Sequence, residues 1–194
     1  MMNMLRQLIP ALRMTALLTV LTGLIYPGVV TGLCQLFFRE KANGSLIQRQ
    51  GQILGSGLIG QNFTRPEYFH PRPSAAGNGY DATASSGSNF GPTNQKLYDR
   101  VKAAAGQFHK DNPDYMGPIP ADALTASASG LDPDISIANA EAQLMRVARA
   151  RHLSRPVVDK LIASVTESRD LGLIGEPRVN VLRLNLALDA LKAD

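Results

Sequence analysis

Three histidines, His70, His109 and His152, are the side chains of this 194-residue chain best suited to proton transfer near neutral pH. His70 stands in a proline-rich stretch, His109 near the end of a predicted helix and His152 just after another. That spacing predicts scattered surface imidazoles rather than a general base with a partner. Serine fares no better as a nucleophile. Gly87-Ser88 lacks the preceding glycine spacing of G-x-S-x-G, and Ser127-Ala128-Ser129-Gly130 comes with no identifiable base, so loop composition accounts for both. Asp132 and Asp134 flank Pro133 and could bind a cation, but a turn that opens a helix uses the same residues as caps. Asn62-Phe63-Thr64 has the form of a glycosylation acceptor, a pattern short enough to arise by chance. There is no Walker A motif, no G-x-G-x-x-G after a clear strand and no phosphorylation-type aspartate in a trustworthy motif. ATP hydrolysis is not encoded here.

Composition narrows the field further. Cys34 is the only cysteine, which excludes an internal disulfide, and no CxxC or Cys/His cluster has metal-ligand spacing. The formal charge is +4; setting aside Arg6 and Arg13 leaves 18 basic against 16 acidic side chains, a surplus of two. No Lys/Arg run can neutralise several phosphates, and the loose group Arg146, Arg149, Arg151 and Arg155 reads as a solvated helix face. This charge pattern does not predict a nucleic-acid partner. The length suits one domain plus an appendage, and mean hydropathy near zero averages a soluble body with a greasy segment.

That segment is Met14 through Phe38, 25 consecutive residues without a charge, bracketed by Arg13 and by Arg39, Glu40 and Lys41. As a helix it would span roughly 37 Å, more than the roughly 30 Å hydrocarbon core of a bilayer. A cleaved signal peptide needs a shorter apolar core ending at small residues, whereas Phe37 and Phe38 close this one; a lipoprotein site at Cys34 would need a small residue where Leu33 stands. The reading is an uncleaved transmembrane anchor. Gly23, Pro27, Gly28 and Gly32 lie within it. The spacing of Gly28 and Gly32 suits close approach of a partner helix, and Pro27 removes a ladder hydrogen bond and should bend the helix. Arg6 and Arg13 before the span mildly favour a cytoplasmic N-terminus. The chain thus divides into a short cytoplasmic N-terminus at 1–13, a transmembrane helix at 14–38 and an extracytoplasmic domain at 39–194.

In the body, residues 44–62 predict a strand, a turn near Gln50 and Gly51, and a second strand. From Phe69 to Thr93 proline and glycine exclude regular structure, while Tyr68, Phe69, Tyr80 and Phe90 argue that the loop is pinned to a core. Helices are predicted from Thr93 to Asn112, from a Ser136 cap through Val147, and from Arg155 to Ser168. The tail predicts a short strand to about Leu184 and then a helix capped by Asn185. The fold class is α+β, a mixed α/β domain on a single N-terminal transmembrane helix.

The loop and its flanks carry a family resemblance. GSGLIGQNF at Gly55 to Phe63, YFHPRPSAA at Tyr68 to Ala76, GYDA at Gly79 to Ala82 and SSGSNFGPT at Ser85 to Thr93 are similar to successive motifs of the C subunit of the bacterial Kdp potassium-transporting ATPase. TASASGLDPDIS at Thr125 to Ser136, Gln143 followed by Arg146-Val147-Ala148, GEPRVNVL at Gly175 to Leu182 and NLAL at Asn185 to Leu188 continue the match in order. The family commonly has His where this chain has Asp134 and Leu where it has Phe90, which weakens a ligand role for position 134.

The resemblance implies a non-catalytic accessory subunit of an ATP-driven potassium uptake complex. Its partners would be a channel-like potassium-translocating subunit, a P-type ATPase subunit, a small membrane peptide and the bilayer of the bacterial inner membrane. The complex uses ATP, Mg and K ions, with no cofactor bound by this chain. Partner-facing candidates are Gly23, Pro27, Gly28, Gly32, Tyr68, Phe69, His70, Arg72, Tyr80, Asp81, Asn89 and Phe90. Gln143 matches a glutamine implicated in nucleotide binding by the family, which an extracytoplasmic body could not use. The competing readings are a membrane-anchored envelope hydrolase, which would need a Ser or His centre, and an anchored ligand-binding protein.

Overall fold

A computed structural model gives the structure of residues 2–191. The chain forms two compact units, one ending at Leu46 and the other beginning at Ile47. The first is a nearly unbroken helix: α1 (Met2–Val20), a π-helical turn at Leu21–Ile25, α2 (Tyr26–Phe37) and a short α3 (Arg39–Ala42). Helix therefore begins well before Met14, because Leu5 to Arg13 contains good helix formers and Pro10 is its sole breaker. The stretch Arg6–Phe37 is long and apolar enough to cross a membrane, and none of its apolar window is buried. The disturbance expected from Pro27 takes the form of the π turn. Gly23, whose carbonyl Pro27 cannot satisfy, lies in that turn, and the Tyr26 N–H reaches back five residues to the Leu21 carbonyl.

The second unit begins inside the expected hairpin, β1 (Leu46–Arg49) and β2 (Gln52–Ser56), which turns through Gln50 and Gly51, both at positive φ. Helix α4 (Gln95–Asp111) follows the long loop, capped by the Asn94 side chain. A four-residue turn of helix, α5 (Ala121–Leu124), precedes β3 (Asp134–Ser136) and α6 (Ile137–Ala150), and Ser136 Oγ caps α6 by accepting from the Asn139 N–H at 3.1 Å. Next come α7 (Arg155–Val165), β4 (Thr166–Glu167), β5 (Arg178–Asn180) and α8 (Val181–Ala190).

Two expected boundaries move. The helix predicted to Ser168 ends at Val165 because Thr166 and Glu167 pair with β5. The tail helix starts at Val181 and not after Leu184, since Asn180 is its cap, accepting from the Arg183 N–H at 3.1 Å. That start puts Val181, Leu184 and Leu188 on one inward face and draws Asn185 into the interior instead of leaving it at a terminus.

The small antiparallel sheet has the order β3-β5-β4, with Ile135 opposite Val179 and Val179 opposite Thr166. Its inward residues meet Ala140, Leu144, Val147 and Ala148 of α6, Val158 and Ile162 of α7, and Val181, Leu184 and Leu188 of α8 in one core, which also takes in Phe69 from the loop. The ends of the sheet are tied by charge: Arg178 reaches Glu167 at 3.0 Å and Asp134 at 3.3 Å, and Arg183 reaches Glu167 at 2.7 Å.

Leu184 is fully buried, so Leu184→Ala should cost about 2–5 kcal/mol of stability through lost burial and a residual cavity. Tyr98→Ala, on the exposed face of α4, should stay within about 0.5 kcal/mol. Denaturant unfolding of the full chain in detergent, followed by far-UV circular dichroism, measures both.

Candidate functional site

After a turn at Arg65 to Tyr68, the segment Phe69 to Ser74 crosses α6 and α8 without regular secondary structure and joins no sheet. Its backbone hydrogen bonds must therefore be met by side chains. Asn185, on α8, meets both groups of Phe69: its Oδ1 accepts from the Phe69 N–H at 2.8 Å, and its Nδ2 donates to the Phe69 carbonyl at 3.0 Å. Gln143, on α6, treats His70 likewise, Oε1 accepting from the N–H at 2.7 Å and Nε2 donating to the carbonyl at 3.1 Å. Two amide side chains thus do what a neighbouring strand would do. They are held in turn, since Gln143 Nε2 also donates to Asn139 Oδ1 at 2.9 Å and Asn139 Nδ2 donates to Asp122 at 3.0 Å.

Arg146 completes the polar stripe of α6, which runs Asn139, Gln143, Arg146. Its guanidinium donates to the carbonyls of Pro66 at 2.6 Å and Tyr68 at 2.8 Å, to Gln143 Oε1 at 2.6 Å and to Asn112 Oδ1 at 3.0 Å. Burial pushes it down to about 10, opposed by nearby Asp111, so it stays charged at neutral pH. Arg151 donates to the Glu67 carbonyl at 2.9 Å and pairs with Asp189 at 2.7 Å. The Tyr68 ring lies between Arg151 and Arg65, with guanidinium carbons 4.8 and 4.9 Å from its centroid, and its hydroxyl donates to Asp189 at 3.2 Å. The solvated arginine face expected from sequence is thus wrong for Arg146 and Arg151, which hold the loop, and right for the exposed Arg149 and Arg155.

Further along, Tyr80 donates its hydroxyl to the Arg72 carbonyl at 2.8 Å, and Arg72 pairs with Asp132 at 2.7 Å. Burial, with Asp132 adding to it, raises the Tyr80 phenol, which therefore remains a donor. Ser74 Oγ accepts from the N–H groups of Ala76 and Tyr80 and donates to the Gly130 carbonyl at 2.6 Å. Gly130 sits at φ +68, and a Cβ there would meet Ser86 O at 2.6 Å and Ala76 N at 2.7 Å, so only glycine lets the two loops touch. Ser127 and Ser129 accept from backbone N–H groups in the same turn, and Asp132 and Asp134 are matched by Arg72 and Arg178. The serines and aspartates that might have done chemistry build the turn instead.

Between the loop, α4 and α6 lies a cleft of about 470 Å³ whose lining includes His70, Tyr80, Phe108, Asn112 and Gln143. His70 is no surface histidine. Its Nε2 lies 3.1 Å from the Arg65 carbonyl, which can only accept, so that nitrogen carries the proton. Burial, with Arg146 adding to it, lowers its pKa below the usual 6.5. His109 and His152 are exposed elsewhere, and the three imidazoles do not converge. Gln143 is 3% exposed and each of its amide atoms makes two protein hydrogen bonds, so a ligand could bind it only by breaking the grip on His70.

Of the partner-facing candidates, Phe69 is fully buried in its own domain, and the half-buried Tyr68, His70, Arg72 and Tyr80 each make hydrogen bonds within it. Asp81 and Asn89 are exposed and Phe90 is half-buried. Among the described residues, a Cβ on Gly23, Gly28 or Gly32 would meet nothing within 4 Å. Asn139, Arg146, Arg151 and Asn185 were missed as a set. The available signal was Asn139, Gln143 and Arg146 at helical spacing beside an apolar stripe.

The family described as K+-transporting ATPase, c chain (KdpC) matches residues 8–190. This chain belongs to the KdpC family. The potassium-transporting ATPase KdpC subunit of Gemmatimonas aurantiaca is 58% identical over 191 residues, covering 98% of this chain and 96% of the relative. That of Mycobacterium bovis is 56% identical over 189 residues, covering 96% and 99%, and that of Rhodospirillum rubrum 56% over 186 residues, covering 96% of each. Membership makes the chain an accessory subunit of the K+-transporting ATPase, and the hydrolase and ligand-binding alternatives fall away.

Asn185→Ala leaves the Phe69 N–H and carbonyl without partners inside the core and should cost about 2–4 kcal/mol, read from the denaturation midpoint of the full chain in detergent. His70 supplies a pH signature. Its folded pKa lies below the unfolded value of 6.5, so the unfolded chain binds more protons in the window beneath 6.5; stability is fully present above that pH and falls as pH drops through the window. His70→Gln should flatten the melting temperature against pH between about 5 and 7. Equal acid sensitivity in the two proteins would refute the assignment.

Proposed function

We propose that this KdpC subunit braces the assembly, its helix docking on the potassium-translocating subunit and its body standing on the extracytoplasmic side against that subunit and the P-type ATPase subunit. The N-terminus lies in the cytoplasm and residues 14–38 form the part of the long helix within the bilayer. ATP, Mg and K ions are handled by the partners, which also include a small membrane peptide; catalysis lies on the P-type subunit.

The observation that carries this reading is where the polar groups of the body point. The polar groups of Gln143, Arg146, Arg151 and Asn185 are committed to the backbone of the protein's own loop, and Asn139 is committed to Gln143. Such a centre makes a rigid surface of an irregular segment. Supporting it, the apolar side chains of the long helix are unburied, and a Cβ on Gly28 or Gly32 would meet nothing within 4 Å among the described residues, which leaves a notch there. In lipid, such a notch lets a second helix approach closely. Asp81, Asn89 and Phe90, at the far side of the loop, are the residues of the body proposed to meet a partner.

Purification from membranes in mild detergent tests the reading: the chain should bring larger polytopic subunits in fixed stoichiometry, and its recovery alone would sink it. Replacing Gly28 and Gly32 with Leu should cut that recovery by roughly tenfold, the equivalent of about 1–2 kcal/mol of helix packing, while leaving membrane insertion intact.

A further inference from the structure

The segment Arg169 to Glu176, between β4 and β5, is absorbed by neither the core nor the amide grip. It is a tight hairpin closed by its own backbone. The Asp170 N–H donates to the Ile174 carbonyl at 2.8 Å and the Ile174 N–H to the Asp170 carbonyl at 2.9 Å, while the N–H groups of Gly172 and Leu173 reach Arg169 and Asp170 at 3.1 Å. An ion pair of 2.7 Å between Arg169 and Glu176 closes the base. On this framework the side chains are apolar and turned outward: Leu171 is 91% exposed, Leu173 84% and Ile174 63%. Leu171 also sits at φ +54, where glycine would be relaxed and a leucine is strained.

An ordered backbone presenting three bare apolar side chains is the arrangement of a preorganised recognition element. Its occupant follows from size and charge. Three side chains offer a few hundred Å² at most, whereas a stable complex between free proteins buries roughly 1,200–2,000 Å². The tip cannot by itself sustain a dimer of this chain. It can serve as a second contact for a chain already held elsewhere, because tethering turns the encounter into an intramolecular one. A lipid surface fits poorly: Arg169 and Arg178 are balanced by Asp170 and Glu176, and no Trp, Tyr or Lys stands in the segment to anchor it at an interface.

We propose that the tip formed by Leu171, Leu173 and Ile174 docks into an apolar pocket on the extracytoplasmic face of a larger subunit of the same assembly. It is the second contact of a chain already held by its membrane helix. This rests on the subunit reading given above.

The test uses the full chain carrying Cys34→Ser and Leu171→Cys, with a membrane-impermeant maleimide as probe. Within the purified assembly, labelling at position 171 should be about tenfold slower or more than in the full chain alone in phosphatidylethanolamine and phosphatidylglycerol vesicles. Equal, fast labelling in both states overturns the docking, and so does protection in the vesicles alone, which would point to lipid or to a second copy. If the chain brings no larger subunits at all, the reading of its function fails; if it brings them and position 171 labels freely, only the docking fails. In parallel, Leu171→Gly should raise or preserve the melting temperature of the isolated chain, because the backbone relaxes, yet lower its retention in the assembly during detergent washing. Unchanged retention overturns the proposal.

Discussion

A buried peptide group has to find a hydrogen-bond partner, and the segment around Phe69 and His70 has no neighbouring strand to provide one. Asn185 and Gln143 substitute for that strand, and much of the body's architecture follows from their placement. Each must be nearly solvent-free for its bonds to count against competition from water, which ties α6 and α8 to the same core that receives Phe69. Each must also be oriented. Asn139 and Arg146 do this for Gln143, and the pair of opposed bonds to Phe69 does it for Asn185.

Charge follows the same logic. Arg146 is a half-buried cation whose ligands are carbonyl and amide oxygens rather than a carboxylate within contact. Removing a charge from water is costly unless several dipoles replace its hydration, and four acceptors do so here. The arrangement makes the loop and α6 mutually dependent: without the guanidinium the carbonyls of Pro66 and Tyr68 lose a donor, and without the loop the guanidinium loses much of its solvation. The cleft beside them is the space left where a non-repetitive segment spans two helices.

How much of this was legible in the sequence depended on whether the cause was local. Helix α6 was readable because Ser136 and the residues Ala140, Leu144 and Val147 lie within one short window, and the glycines around Gln50 and Gly51 announced the hairpin. The family motifs announced the membership that the comparisons then established. The tail helix is capped by Asn180 and not by the expected Asn185, because the core shared by Val181, Leu184 and Leu188, which no local rule shows, sets where it begins. Strands β3 and β4, three and two residues long, carry too little alternation to be seen. Arg146 and Arg151 looked like solvent-facing charges because the segment that covers them lies 78 to 84 residues earlier in the chain.

Those separations bear on the order in which the molecule can be completed. The chain is made from its N-terminus, so Phe69 emerges 116 residues before the asparagine that holds it, and His70 emerges 73 residues before its glutamine. During synthesis the N-terminal helix and the segment around Phe69 and His70 have already been made while the latch is still on the ribosome. The body closes only when α8 arrives, which makes a helix of ten residues the last keystone of the subunit and any chain broken before it an open, unlatched form.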